Sequence, residues 1–180
     1  DALPMSSGSN VALFGLAAYD LAGSQAGNSD SVDLEAALTA AGFTVNQDLK
    51  NWYLNNIILY AEQEVTDRRG NVSIKTVATN MYATPGDFTD FPVVEIAPDT
   101  WSTEWGVPEN WRDSIPSDSI GIVVFARTGG EGNTYKPGSA LDSKGNPTGK
   151  DPLELSDEEL AVVDAAKETC SKVIVLLNTG

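Results

Sequence analysis

The stretch "IGIVVFARTGGEGNTY", Ile120 to Tyr135, joins two unlike halves. "IGIVVFA", residues 120–126, is apolar throughout, rich in β-branched residues and without polar alternation. A strand with one wet face alternates; an unbroken run of this length reads as a strand covered on both faces, the mark of a parallel sheet. The second half sets one carboxylate, Glu131, among Gly129, Gly130 and Gly132. Glycine tolerates backbone conformations that bulkier residues resist. Such a loop can pass close to another surface and aim Glu131 outward, with the Arg127 cation and the Tyr135 hydroxyl flanking it. A solvated turn carrying an ordinary acid is the competing reading.

Two further runs match the first: "VALFGL", Val11 to Leu16, and "KVIVLLN", Lys172 to Asn178. Amphipathic patterns lie between them. "VDLEAALTAA", Val32 to Ala41, puts Leu34, Leu38 and Ala41 on one face, with Asp30 or Ser31 as N-cap and Gly42 as the stop. "FTVN", Phe43 to Asn46, is a short strand candidate. "QDLKNWYLNNIILYAEQEV", Gln47 to Val65, predicts one long helix, because Leu49, Tyr53, Ile57 and Tyr60 recur every three or four residues. "LSDEELAVVDAAKETC", Leu155 to Cys170, opens on Ser156 and Glu159, a capping box. Its expected apolar stripe is Leu160, Val163 and Ala166 or Lys167. Buried strands alternating with amphipathic helices predict an α/β fold: a doubly wound, mostly parallel sheet with helices on both faces, a three-layer sandwich forming one domain over residues 1–180. From Arg68 to Ser119, five prolines and three tryptophans predict an irregular excursion with one or two short helices. "DSKGNPTGKDP", Asp142 to Pro152, reads as a surface loop. No internal repeat is present.

The chain has 180 residues, 26 acids against 11 bases and a net charge of −15. Such a surface repels phosphate backbones and anionic lipid, which argues against nucleic-acid and membrane-surface roles. No apolar run approaches the roughly 20 residues that span a bilayer, and "DALPMSSGSN" has no signal-peptide pattern. A soluble protein is expected; the cytoplasm is one compartment compatible with that, and the compartment itself is not written in the sequence. The chain does not begin with Met, and its last strand candidate stops two residues before the end, so a piece of a longer polypeptide is expected. With no histidine and one cysteine, Cys170, a Ser–His or Cys–His pair, an internal disulfide and the usual zinc sites are excluded. Acid–base chemistry must fall to Asp, Glu, Tyr or Lys. Cys170 reads as a core residue.

Ligands of open α/β sheets bind beyond the C-terminal ends of the strands. The loop after Leu16 is Gly-containing, but Gly15, Gly23 and Gly27 are too widely spaced for a dinucleotide fingerprint. The loop after Ala126, with Glu131, is the stronger candidate. Asp20, Asp30, Asp87, Asp90, Glu95 and Glu104 could each pair with another acid, and spacing does not choose among them. Trp101, Trp105 and Trp111 could stack on sugar rings, although core packing is the commoner fate of tryptophan.

"VALFGLAAYDLAGSQAGN", "VDLEAALTAAGFTVN", "DSIGIVVFARTGGEGNTY" and "LELSDEELAVVDAAKETCSKVIVLLNTG", taken in order, resemble the second domain of family 3 glycoside hydrolases of the β-glucosidase type. The resemblance runs from about Asn10 to Gly180, is most specific at R-x-G-G-E-G and is weakest between Arg68 and Ser119. It implies an α/β sandwich domain that supplies a general acid/base glutamate, matched here by Glu131. A (β/α)8 barrel domain of the same polypeptide would supply the aspartate nucleophile, and specificity for a β-linked sugar would rest largely on that barrel. It implies no cofactor and no metal, and Arg127 and Tyr135 would line the cleft or bind substrate. Thr134 stands where the family frequently has Asp, which touches one neighbouring contact. Without a barrel, this chain alone is expected to be inactive. Two alternatives from other classes are a non-catalytic carbohydrate-binding or interaction module and a flavodoxin-like nucleotide-binding domain.

Overall fold

The structure, a computed structural model, describes residues 3, 5–19, 33–66, 69–78, 95–127, 136–140, 142 and 146–179. Four strands, β1 (Asn10–Phe14), β2 (Thr44–Val45), β5 (Ile120–Arg127) and β6 (Lys172–Thr179), form a sheet in the order β2-β1-β5-β6. Every pairing in it is parallel, with Val11 opposite Ile120 and Ile120 opposite Lys172. This is the α/β architecture expected from the apolar runs.

β5 is buried from Ile120 to Ala126, and its side chains divide between two cores. Ile122, Val124 and Ala126 join Val11 and Leu13 on one face, against Leu34 and Leu38 of α1 (Leu34–Ala40). Val123 and Phe125 join Ala12 and Phe14 on the other. That second face is packed by Leu49 of α2 (Gln47–Trp52) and by Val162, Ala165 and Ala166 of α4 (Asp157–Thr169). Trp101, in the short α3 (Trp101–Glu104), and Trp111, in a 3-10 turn (Trp111–Ser114), complete it. These are the two short helices expected within the irregular stretch.

The helix starts follow side-chain chemistry. Asp33, two or three positions later than the expected cap of α1, accepts from the Ala36 N–H, and Asn46 accepts from the Leu49 N–H. Ser156 and Glu159 form the reciprocal capping box at α4. The buried stripe of α4 is Glu159, Val162, Ala165 and Ala166, one register earlier than expected at its start. Leu160 and Lys167 face solvent and Val163 is half-buried, because the cap residue Glu159 itself turns inward. Cys170 is half-buried at the end of α4, its sulfur against Gly121.

The long helix expected over Gln47–Val65 does not form. After α2 comes one π-helical turn, Tyr53–Ile57, then Ile58 turns extended (φ −83, ψ 119). β3 (Tyr60–Thr66) follows and pairs antiparallel with β4 (Val72–Ala78), which had no counterpart in the sequence reading. Leu49, Tyr53 and Ile57 do share the buried face, but Tyr60 is 45% exposed, so the fourth match to the helical period is coincidental. Two consecutive β-branched residues, Ile57 and Ile58, favour the extended turn-off. Ala, Glu and Gln are then held in a strand by cross-strand pairing against their helical preference.

Gly15 ends β1 with φ +93, ψ 140, and a Cβ placed there would lie 2.4 Å from the Val124 carbonyl oxygen. The Gly15→Ala change is expected to cost roughly 2–5 kcal/mol, combining backbone strain with overpacking. Gly8→Ala, at φ +84 with nothing nearby, isolates the backbone part at about 1–2 kcal/mol. Urea unfolding of both variants measures the difference; equal losses would show that the approach to Val124 costs nothing.

Candidate functional site

Parallel pairing sends the C-terminal ends of β1, β5 and β6 out on one rim, where open α/β sheets bind ligands. Arg127 is the last residue of β5. Its Nη1 and Nη2 donate to Glu159 Oε1 and Oε2 at 2.6 and 2.8 Å. Nε donates to the Pro152 carbonyl, Nη1 also to the Ala126 carbonyl and Nη2 also to the Glu154 carbonyl. A guanidinium has five N–H groups, and all five are used. The pair is largely buried, with side-chain exposures of 12% and 1%. Glu159 Oε2 additionally accepts the Ser156 N–H. Arg127 therefore clamps the end of β5 to the first turn of α4. The residue matching a cleft-lining position has its whole hydrogen-bonding capacity inside the chain.

The exit of β1 is held by different groups. The Leu16 N–H donates to Glu95 Oε1 at 2.6 Å and the Gly15 N–H donates to the Tyr53 hydroxyl at 2.9 Å. Glu95 is 1% exposed, and among the described residues its Oε2 has no hydrogen-bond partner. Burial pushes the Glu95 carboxyl up to about 8, and the Glu159 charge adds to that push; the N–H groups of Leu16 and Ile96, and the Arg127 charge, oppose it. Desolvation is the largest of these effects, and Arg127, the cation acting on Glu95 among the described residues, has its N–H groups taken up by Glu159 and three carbonyls. The Tyr53 hydroxyl is raised by burial and by the Glu95 charge. Aromatic packing fixes these positions: Tyr53 meets Tyr19 and Trp101 at 4.9 and 5.2 Å between ring centroids, and Trp101 meets Trp111 at 4.8 Å. Trp101 Nε1 donates to the Ile96 carbonyl, tying down the residue beside Glu95.

Glu131 and Tyr135 lie outside the described residues, as do Asp20, Asp30, Asp87 and Asp90. Arg127, expected to line the cleft or bind substrate, ends β5 with its N–H groups taken up by Glu159 and three carbonyls. Glu104 is exposed. Trp101 and Trp111 are core residues and Trp105 is half-buried, so core packing takes at least two of the three tryptophans. Glu159 and Tyr53 escaped sequence reasoning as site residues: Glu159 was read only as a cap, and Tyr53 only as one residue of a helical face. Glu95 carried one legible signal, an acid inside the apolar stretch "FPVVEIAP".

The starts of α1, α2 and α4 are already occupied by Asp33, Asn46 and Ser156, which leaves their first-turn donors capped by the chain itself. Among the described residues, no group of three or more His, Cys, Asp or Glu could hold a metal ion, and no helix is long and apolar enough to cross a membrane.

Removing one partner of a buried pair strands the other. Arg127→Met is expected to cost about 3–5 kcal/mol, while Arg127→Met combined with Glu159→Met recovers most of the loss. Chemical denaturation of the two single variants and the double variant reads the coupling; strict additivity would show that the clamp is not a unit. No protein-family model matches this chain, and comparison with curated proteins returns no match.

Proposed function

We propose that this chain is the acid/base-bearing α/β part of a retaining β-glycosidase, a β-glucosidase-like enzyme of the family 3 type that hydrolyses O-glycosyl bonds. Its active cleft is shared with a (β/α)8 barrel domain of the same polypeptide. The observation that carries the reading is the clamp at Arg127. It fixes the exit of β5 on the rim where parallel sheets bind ligands, four residues before Glu131 in R-x-G-G-E-G. A fixed strand end followed by a glycine-rich segment is the arrangement that delivers one side chain across a cleft.

The chemistry needs two carboxyl groups about 5–5.5 Å apart. A carboxylate of the barrel domain attacks the anomeric carbon. Glu131 gives its proton to the glycosidic oxygen as that bond breaks, which releases the aglycone alcohol. Glu131, now ionised, takes a proton from water as the water oxygen attacks the same carbon. That step frees the sugar and the nucleophile and leaves Glu131 protonated again. Arg127 does not touch substrate in this scheme. It anchors the strand from which the acid departs.

The test uses the polypeptide that carries this segment together with a barrel. Glu131→Gln is expected to lower the turnover of an alkyl β-glucoside by 10²-fold or more, the scale of general acid catalysis. An activated aryl glycoside, which needs no protonation to leave, should still form the covalent intermediate in a burst. Equal loss on both substrates, or no loss on either, would remove Glu131 from this role.

A further inference from the structure

We propose that Glu95 is a positioning residue, a proton-operated latch that fastens the turn leaving β1 beside the end of β5. Its Oε1 accepts the Leu16 N–H at 2.6 Å, directly after Gly15, whose backbone presses against the Val124 carbonyl. Among the described residues, no cation pairs with Glu95: Arg127 has its five N–H groups on Glu159 and three carbonyls, and Oε2 of Glu95 is buried without a described partner.

Among the described residues, the titratable groups acting on Glu95 are Tyr53 from the π-helical turn, Arg127 from β5 and Glu159 from α4, with Tyr19 one step further behind Tyr53. Tyr53 and Tyr19 are themselves held neutral by burial. The cluster therefore balances with Glu95 protonated: one cation faces one carboxylate. Ionisation adds a second negative charge in a buried site.

The direction of the pH effect follows from linkage. Glu95 in the closed turn holds its proton to about pH 8, whereas an exposed glutamate loses it near 4.3. The closed state therefore binds more protons than the opened one between these limits. Its advantage is complete below the lower limit, shrinks as pH rises and is gone above about 8. Opening of the turn becomes up to about tenfold easier per pH unit across that window. The device puts mobility of one rim element under the control of a single proton, whatever ligand the rim receives.

Amide hydrogen exchange of the 180-residue chain, read by NMR from pH 5 to 9.5 as protection factors, tests this. Protection at Leu16 is expected to fall toward tenfold per pH unit and to level off above about pH 8, while Val123 in the middle of β5 changes less. Glu95→Gln keeps an acceptor for the Leu16 N–H without a titrating proton, so its Leu16 protection should follow Val123 at every pH. A Leu16 profile parallel to Val123 in the wild type, or an unchanged pH slope in Glu95→Gln, overturns the latch. Should the variant fail to fold, the ¹³C shift of the wild-type Glu95 carboxyl decides: a midpoint near 8 supports the proposal and one below 5.5 overturns it. No sugar and no barrel enter the measurement, so its failure and that of the glycosidase reading are separable.

Discussion

Strand β5 has no solvent-facing side, and this condition sets most of what surrounds it. Seven consecutive residues, Ile120 to Ala126, are buried, so each sheet face needs a cover. α1 supplies one, and α2, α4 and the Trp101–Trp111 segment supply the other. β6 pairs with β5 along its whole length, and β1 pairs with its first half, Ile120 to Val123. Covering both faces leaves only the two ends of the strand open to chemistry.

At the rim the burial that drives folding becomes a liability for polar groups. The end of β5 answers it with a saturated ion pair, Arg127 to Glu159, which satisfies the guanidinium completely and doubles as the cap of α4. The end of β1 is held by a lone acid, Glu95, and a tyrosine hydroxyl. A buried pair keeps its charges because each partner is hydrogen-bonded, while a buried lone acid escapes the cost by staying neutral. Two neighbouring strand exits are thus held by different chemistry, a saturated ion pair at β5 and, at β1, a latch that weakens as pH rises.

The sheet was legible because its strands announce themselves locally. "VALFGL", "IGIVVFA" and "KVIVLLN" became β1, β5 and β6, and "FTVN" supplied β2. The hairpin of β3 and β4 was hidden because "YAEQEVT" is made of residues that favour helix as much as strand, and its strand identity comes from cross-strand pairing with Val72–Ala78. β6 also differs from the expectation of two covered faces. It is an edge strand among those described, and Leu176 and Leu177 are exposed, the latter by 67%. Arg127 was legible as the end of a strand, but its role as an internal clamp was not. Nor were the partners: Glu159 lies 32 residues from Arg127, and Glu95 lies 79 from Leu16. No local pattern encodes contacts over such separations. Only the acid within "FPVVEIAP" hinted that a charge was going inside.

A chain without histidine gains a group that exchanges its proton near neutrality by raising the pKa of a carboxyl or lowering that of a lysine. Glu95 shows what a single domain achieves by burial alone: a carboxyl raised to about 8, but 1% exposed. Full burial within one domain and access to substrate exclude each other. A carboxylic acid that must both keep its proton and meet a ligand needs walls that form only when a second surface closes over it. That conflict favours a cleft built between two domains. The acid/base role proposed for Glu131 calls for such a cleft, whereas Glu95 is hidden and holds the exit of β1.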